Sequence, residues 1–162
     1  MNTTQIMEKM IVFSDGNLHD ITHFMTVWTY ARQIGEGEKL DARTRFVLEV
    51  AAIVHDIACP LCREKYGRAD GSLQELESEP LVRAFLADTG MRGEDIDRVA
   101  LLVRHHHTPG SVEGMDHRIL IEADYIACAM ENRFSREEIL RFAQEATRTD
   151  AGRRILKETF GL

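Results

Sequence analysis

The sequence predicts an all-α fold, a compact single-domain helical bundle of seven or eight helices over residues 1–162. Three observations predict it. Only three prolines occur in 162 residues. No stretch alternates apolar and polar residues with the period of two that a half-buried strand needs. Nearly every apolar run repeats instead at the helical period, and the runs are separated by Gly, Pro and Asn/Asp clusters of the kind that mark turns.

Taken in order, residues of about 3 to 13 form a first helix, closed by the turn Ser14-Asp15-Gly16-Asn17. A second runs from about Asp20 to Ile34 and is expected to stop at Gly35-Glu36-Gly37. Asp41 is an N-cap for a third, which carries Phe46, Val47, Val50, Ile53 and Val54 and ends near Ile57, ahead of Pro60. Residues 59 to 72, with Pro60, Gly67, Gly71 and several charges, read as a loop. Helices of about 73 to 89 and 93 to 106 follow, closed by Gly90 and Pro109-Gly110, and 110 to 116 is a second loop. A helix of about 116 to 131 completes a core of about 18 to 131. C-terminal helices fill 135 to 160: Ser135 with Glu138 makes a capping box for one to about 147, and the last covers about 150 to 159.

Hydrophobic residues make up 44% of the chain and charged residues 29%, the balance of a globular protein long enough to bury a core. With 20 basic against 27 acidic residues the net charge is -7, which argues against a nucleic-acid polymer as partner. No stretch approaches the roughly 20 apolar residues of a membrane helix, and the N-terminus lacks a signal-peptide layout. The expected location is cytoplasmic, with no membrane partner; oligomeric state has no signature. Cys59, Cys62 and Cys128 are an odd count, as free thiols would be. Cys59-Pro60-Leu61-Cys62 has Cys-x-x-Cys spacing, but neither two further zinc ligands nor an adjoining strand accompanies it.

His55 and Asp56 end the apolar run Val50-Ala51-Ala52-Ile53-Val54. Packing alone gives no reason for a carboxylate there, because burying one without a partner is costly. Imidazole and carboxylate together suit a borderline to hard divalent ion: Mn, Fe, Co, Ni, Zn or Mg. His23 opens a second apolar helical run and Asp124 lies inside a third, Ile119 to Ala127. Read alone, His23 is a hydrogen-bonded core histidine and Asp124 a buried structural carboxylate. Read together, the four are a ligand set spread over three helices. Glu122, on another side of the same helix as Asp124, is the weaker candidate.

His23, His55, Asp56 and Asp124, in that order and spacing, resemble the HD superfamily of metal-dependent phosphohydrolases. The resemblance runs from about Asp20 to the C-terminus and implies a helical fold, a divalent metal at those four residues, Asp56 as the catalytic carboxylate, and a nucleotide or other small phosphorylated substrate. His105-His106-His107 ends another apolar helix. Three successive residues fan around a helix and cannot all reach one site. In two-metal relatives a His-His pair here serves a second ion, which points to His106 and then His105 as second-metal or substrate ligands. Those relatives also carry a histidine between the His-Asp pair and this cluster. This chain has Gln74, Glu75 and Glu77 there instead, so a single ion is expected.

Basic residues near the pair bear on phosphate. Arg63, Lys65 and Arg68 follow it, and Arg104 precedes the histidines. Read singly, each is a solvated charge. Near a metal, they are what a phosphate pocket needs, with Lys65, Arg68 and Arg104 the candidates and Glu64 a base or outer partner. Two other functions share these features: a dinuclear iron oxygenase of the inositol-oxygenase type, and a non-catalytic metal- or nucleotide-binding module.

Overall fold

The run from Val50 to Val54 offers no polar face, and a helix without one belongs in the interior. A computed structural model, which describes residues 1–162, puts it there. Helix α3 (Ala42–Val54) is the centre of the fold, with every residue from Val47 to Val54 buried. It packs against α1 (Thr3–Phe13), α2 (Leu18–Gly37), α6 (Gly93–Arg104) and α7 (Met115–Glu131). Between α3 and α6 the chain forms α4 (Cys59–Tyr66) and α5 (Gly71–Leu86), and α5 lies along α6. Two C-terminal helices, α8 (Arg136–Glu145) and α9 (Asp150–Phe160), pack on each other, and α9 also touches α2 and α7. Thirty-three buried hydrophobic residues form one continuous core. No helix is long and apolar enough to cross a membrane.

The caps read from the sequence are in place. Asp41 accepts from the amides of Arg43 and Thr44, and Ser135 and Glu138 form a reciprocal capping box. Glu122 faces away from the Asp124 side as expected. Its buried carboxylate accepts from the amides of Arg148 and Thr149 and from the Thr149 hydroxyl, which ties α7 to the start of α9.

The structure corrects three boundaries. Helix α2 does not stop at Gly35 but runs through Gly37. These glycines serve packing: a Cβ on Gly37 would come within 2.7 Å of the Ala151 Cβ, so the bare backbone lets α9 approach. Part of the expected loop 59–72 is the two-turn helix α4, a ninth helix beyond the eight expected. Pro60 fits its first turn, where the missing amide has no helical partner, and Gly67 ends it at φ +70. Helix α6 stops at Arg104, two residues early, and that places the histidines outside regular helix.

Candidate metal centre

His23 comes from the middle of α2 and Asp124 from the middle of α7, two helices that pack side by side. His55 caps the C-terminus of α3. The chain then tightens, with Ile57 N bonded to Val54 O and Cys59 N to Asp56 O, before α4 begins. Because the helix has ended, two adjacent side chains reach the same place. His106 enters in the same way, just past the end of α6.

Each imidazole has its Nδ1 occupied. His55 Nδ1 lies 2.8 Å from Ala52 O, His106 Nδ1 2.6 Å from Val103 O, and His23 Nδ1 2.9 Å from a Glu131 oxygen. All three partners are acceptors, so in the neutral ring each Nδ1 carries the proton and each Nε2 presents a lone pair. The three Nε2 atoms converge. His23 Nε2 is 3.1 Å from His55 Nε2, 3.4 Å from Asp56 Oδ2 and 3.3 Å from Asp124 Oδ1. His55 Nε2 is 3.5 Å from Asp56 Oδ2 and 3.7 Å from Asp124 Oδ1. His106 Nε2 is buried, makes no hydrogen bond, and lies 3.5 Å from Asp56 Oδ1.

This donor set fits a divalent cation. Three imidazole nitrogens and two carboxylates suit a borderline to hard ion. Separations of 3.1 to 3.7 Å suit the edges of a coordination polyhedron with bonds of about 2.1 Å. The orphaned Nε2 of His106 costs free energy until something binds it. Donor atoms within 4.8 Å of one another fall into three overlapping groups: His23–His55–Asp124, His55–Asp56–His106 and His106–His107–Asp124. Asp56 is 27% exposed and the other four cluster side chains 14% or less, so access is from the Asp56 side.

Charges follow from that crowding. Burial would lower the pKa of His23, but the Asp124 carboxylate bonded to it and the charge of Asp56 outweigh burial and hold it at about 9. For Asp124, burial is overcome by His23 and His55, which leave the carboxyl at about 2. Asp56, against His55 and His106, lies well below the usual carboxylate range despite its burial. His55 has no such bond, and burial holds it neutral and lowered.

Other expected residues lie elsewhere. His105 offers its backbone carbonyl to His117 Nε2, 2.9 Å away, and its ring joins none of the three donor groups. Lys65 pairs with Glu77 at 2.5 Å, Arg68 with Asp70 at 3.0 Å and Arg104 with Glu79 at 3.0 Å, and each cation is half exposed or more. None of Gln74, Glu75 and Glu77 belongs to the cluster: Glu77 accepts from Lys65 and Tyr66, Glu75 from Thr108, and the Gln74 amide donates to Ala69 O. Glu64 is exposed. Cys59 and Cys62 are buried free thiols.

Three contributors escaped the sequence reading. Glu131 orients His23, and its position seven residues after Asp124 on α7, hence on the same helix face, was a usable signal. Cys128, four after Asp124, places its thiol 3.4 Å from Asp124 Oδ1. His107 packs against His106, with ring centroids 3.8 Å apart and planes tilted by 42°. Its seat needs Gly71, since a Cβ there would meet the His107 ring at 2.9 Å. Once the helix ends at Arg104, successive histidines no longer fan at helical intervals, so His106 and His107 share one side.

The HD-domain family model matches residues 20–157. The chain belongs to the HD-domain family. Two solved structures share the HD-domain fold seen here. One, described as a predicted HD superfamily hydrolase from an uncultured Thermotogales bacterium, superposes with a TM-score of 0.69 at 23% identity, over 98% of this chain and 84% of that one. The other, YpgQ of Bacillus subtilis, gives a TM-score of 0.59 at 21% identity, over 98% and 88%. No curated protein matches this HD-domain sequence.

Proposed function

We propose that this HD-domain protein is a metal-dependent phosphohydrolase that cleaves a phosphoester or phosphoanhydride of a nucleotide or other small phosphorylated metabolite. The observation that carries the reading is the convergence of three Nδ1-anchored imidazoles and two carboxylates, with the buried His106 Nε2 unpartnered. Family membership supports it, as does the hydrolase description of the Thermotogales neighbour.

His23, His55, Asp56 and Asp124 would hold the ion, with His106 as a further donor. A bound divalent ion supplies Lewis acidity at the phosphoryl group and lowers the pKa of water. The protein supplies orientation. Glu131, Ala52 O and Val103 O hold the three imidazoles in the tautomer that presents Nε2. Asp56 turns one oxygen toward His23 and His55 and the other toward His106, so it links both halves of the cluster and stands nearest the entrance. We assign the catalytic carboxylate role to it. The apolar run Val50–Val54 beneath the cluster keeps water from its inner side.

The test is metal analysis coupled to a panel of phosphoesters and phosphoanhydrides, with Mn, Fe, Co, Ni, Zn and Mg each added to stripped protein. Metal-dependent phosphate release, lost in Asp56→Asn, is expected. Metal binding with no turnover of any panel member would instead favour a binding module.

A further inference from the structure

The three cations singled out in the sequence for phosphate pair with carboxylates of α5 or its N-cap Asp70, whereas a fourth, Arg63, pairs with a carboxylate on α2, the helix of His23. Arg63 lies on α4, which starts three residues after Asp56. Its guanidinium makes a two-pronged contact with Asp20, through NH2 to Oδ2 and NH1 to Oδ1. Asp20 stands in the first turn of α2, one turn ahead of His23. The pair therefore bridges the helix that carries His23 and the helix that follows Asp56. The His19 ring beside Asp20 lies parallel to the His23 ring with centroids 6.5 Å apart, which sets the pair next to the cluster.

We infer that Arg63 is the anion receptor of the site and that Asp20 is a displaceable stand-in for the substrate phosphate. The inference rests on the phosphohydrolase reading and names the residue that would hold its substrate.

The chemistry of the pair supports this. A guanidinium has five N–H donors in a planar fork, and Asp20 uses two nitrogens of it. A phosphate oxygen pair fits the same fork, with more charge than a carboxylate. Arg63 is 43% exposed against 15% for Asp20, so the guanidinium faces water and an incoming phosphate can reach its fork from the solvent side. Asp20 keeps other partners when Arg63 leaves, because the Asn17 amide donates to it at 3.0 Å and the His19 ring lies 3.4 Å away. By contrast, Lys65 donates to a Glu77 oxygen on α5 that Tyr66 also bonds.

Phosphate binding and metal content, measured together, test the idea on the full chain loaded with Mn2+, with inorganic phosphate as the probe in calorimetry. Arg63→Gln should weaken phosphate binding about tenfold or more while bound Mn2+ per chain stays at the parent value. Arg63→Lys should fall between the two, because a point charge replaces the fork. Asp20→Asn frees the guanidinium and should tighten phosphate binding. Parent-like phosphate affinity in Arg63→Gln would overturn the inference and leave the phosphohydrolase reading intact. Loss of Mn2+ in that variant would also overturn it, since Arg63 would then support Asp56 rather than a ligand. If the Mn2+-loaded parent neither binds phosphate nor releases it from any ester, the phosphohydrolase reading itself fails.

Discussion

The Nε2 atoms of His23 and His55 face each other at 3.1 Å. Both rings have their Nδ1 protons committed elsewhere, His23 to Glu131 and His55 to Ala52 O. Two lone pairs at that distance repel unless a positive charge lies between them. A proton can serve, and a divalent cation serves better, because it also reaches Asp56 and Asp124.

Proton and cation should therefore compete. His23 has its value raised from 6.5 to about 9. A raised value in the fold stabilises the metal-free protein fully below pH 6.5, and that contribution is lost as pH rises through about 9. The melting temperature of metal-free protein should fall across this window, and the increment on adding Mn2+ should grow across it, since binding must displace the proton. A metal-free melting temperature that stays flat from pH 6.5 to 9 would count against a shared proton.

Asp56→Asn removes a charge with little change of shape. The fold should survive, as judged by far-UV circular dichroism, because the core beneath it is apolar. Metal affinity should fall by more than the about 10–100-fold that loss of an outer partner causes, and turnover should fall with it. Full metal loading and parental turnover in this variant would make the pair structural.

Glu131→Gln keeps the contact to His23 Nδ1 but lets the amide present either a donor or an acceptor. Metal affinity should drop about 10–100-fold, with a smaller loss than in His23→Ala. The comparison is made by competition against a chelator of known affinity, and equal affinities in Glu131→Gln and parent would show that Ala52 O and Val103 O suffice to set the cluster.

His106→Ala tests the number of ions. We expect one ion per chain in the parent, because Gln74, Glu75 and Glu77 stay outside the cluster. Under that expectation the variant binds one ion more weakly. Two ions in the parent and one in the variant, by elemental analysis, would assign His106 with His107 to a second position and would call for assay under oxygen with ferrous iron.

Gly71→Ala drives a methyl group into the His107 ring. Overpacking of this kind costs about 1–3 kcal/mol unless the ring moves. Thermal unfolding should show that loss, and His107→Ala in the same background should restore most of it. No change in stability for the single variant would mean that His107 moves freely and has no fixed role at the cluster.

The sequence by itself determined the helical class, because period and caps are local: Asp41 and Ser135 cap helices wherever those helices pack. It also marked His23, His55, Asp56 and Asp124, since a carboxylate or imidazole inside an apolar helical run needs a partner whatever the fold. Tertiary structure decided the rest. Gly35 and Gly37 look like a stop until α3 and α9 pack, when Gly35 makes room for Leu48 and Gly37 for Ala151. Lys65, Arg68 and Arg104 are near the site in sequence but paired with carboxylates of α5 and its N-cap Asp70. His107 reached the cluster because α6 ends at Arg104, and Arg63 reached its rim because α4 forms where a loop was expected. Ligand identity follows from residue type and burial, which one helix can carry. Orientation and charge at the rim depend on which surfaces meet, and only the packed helices fix that.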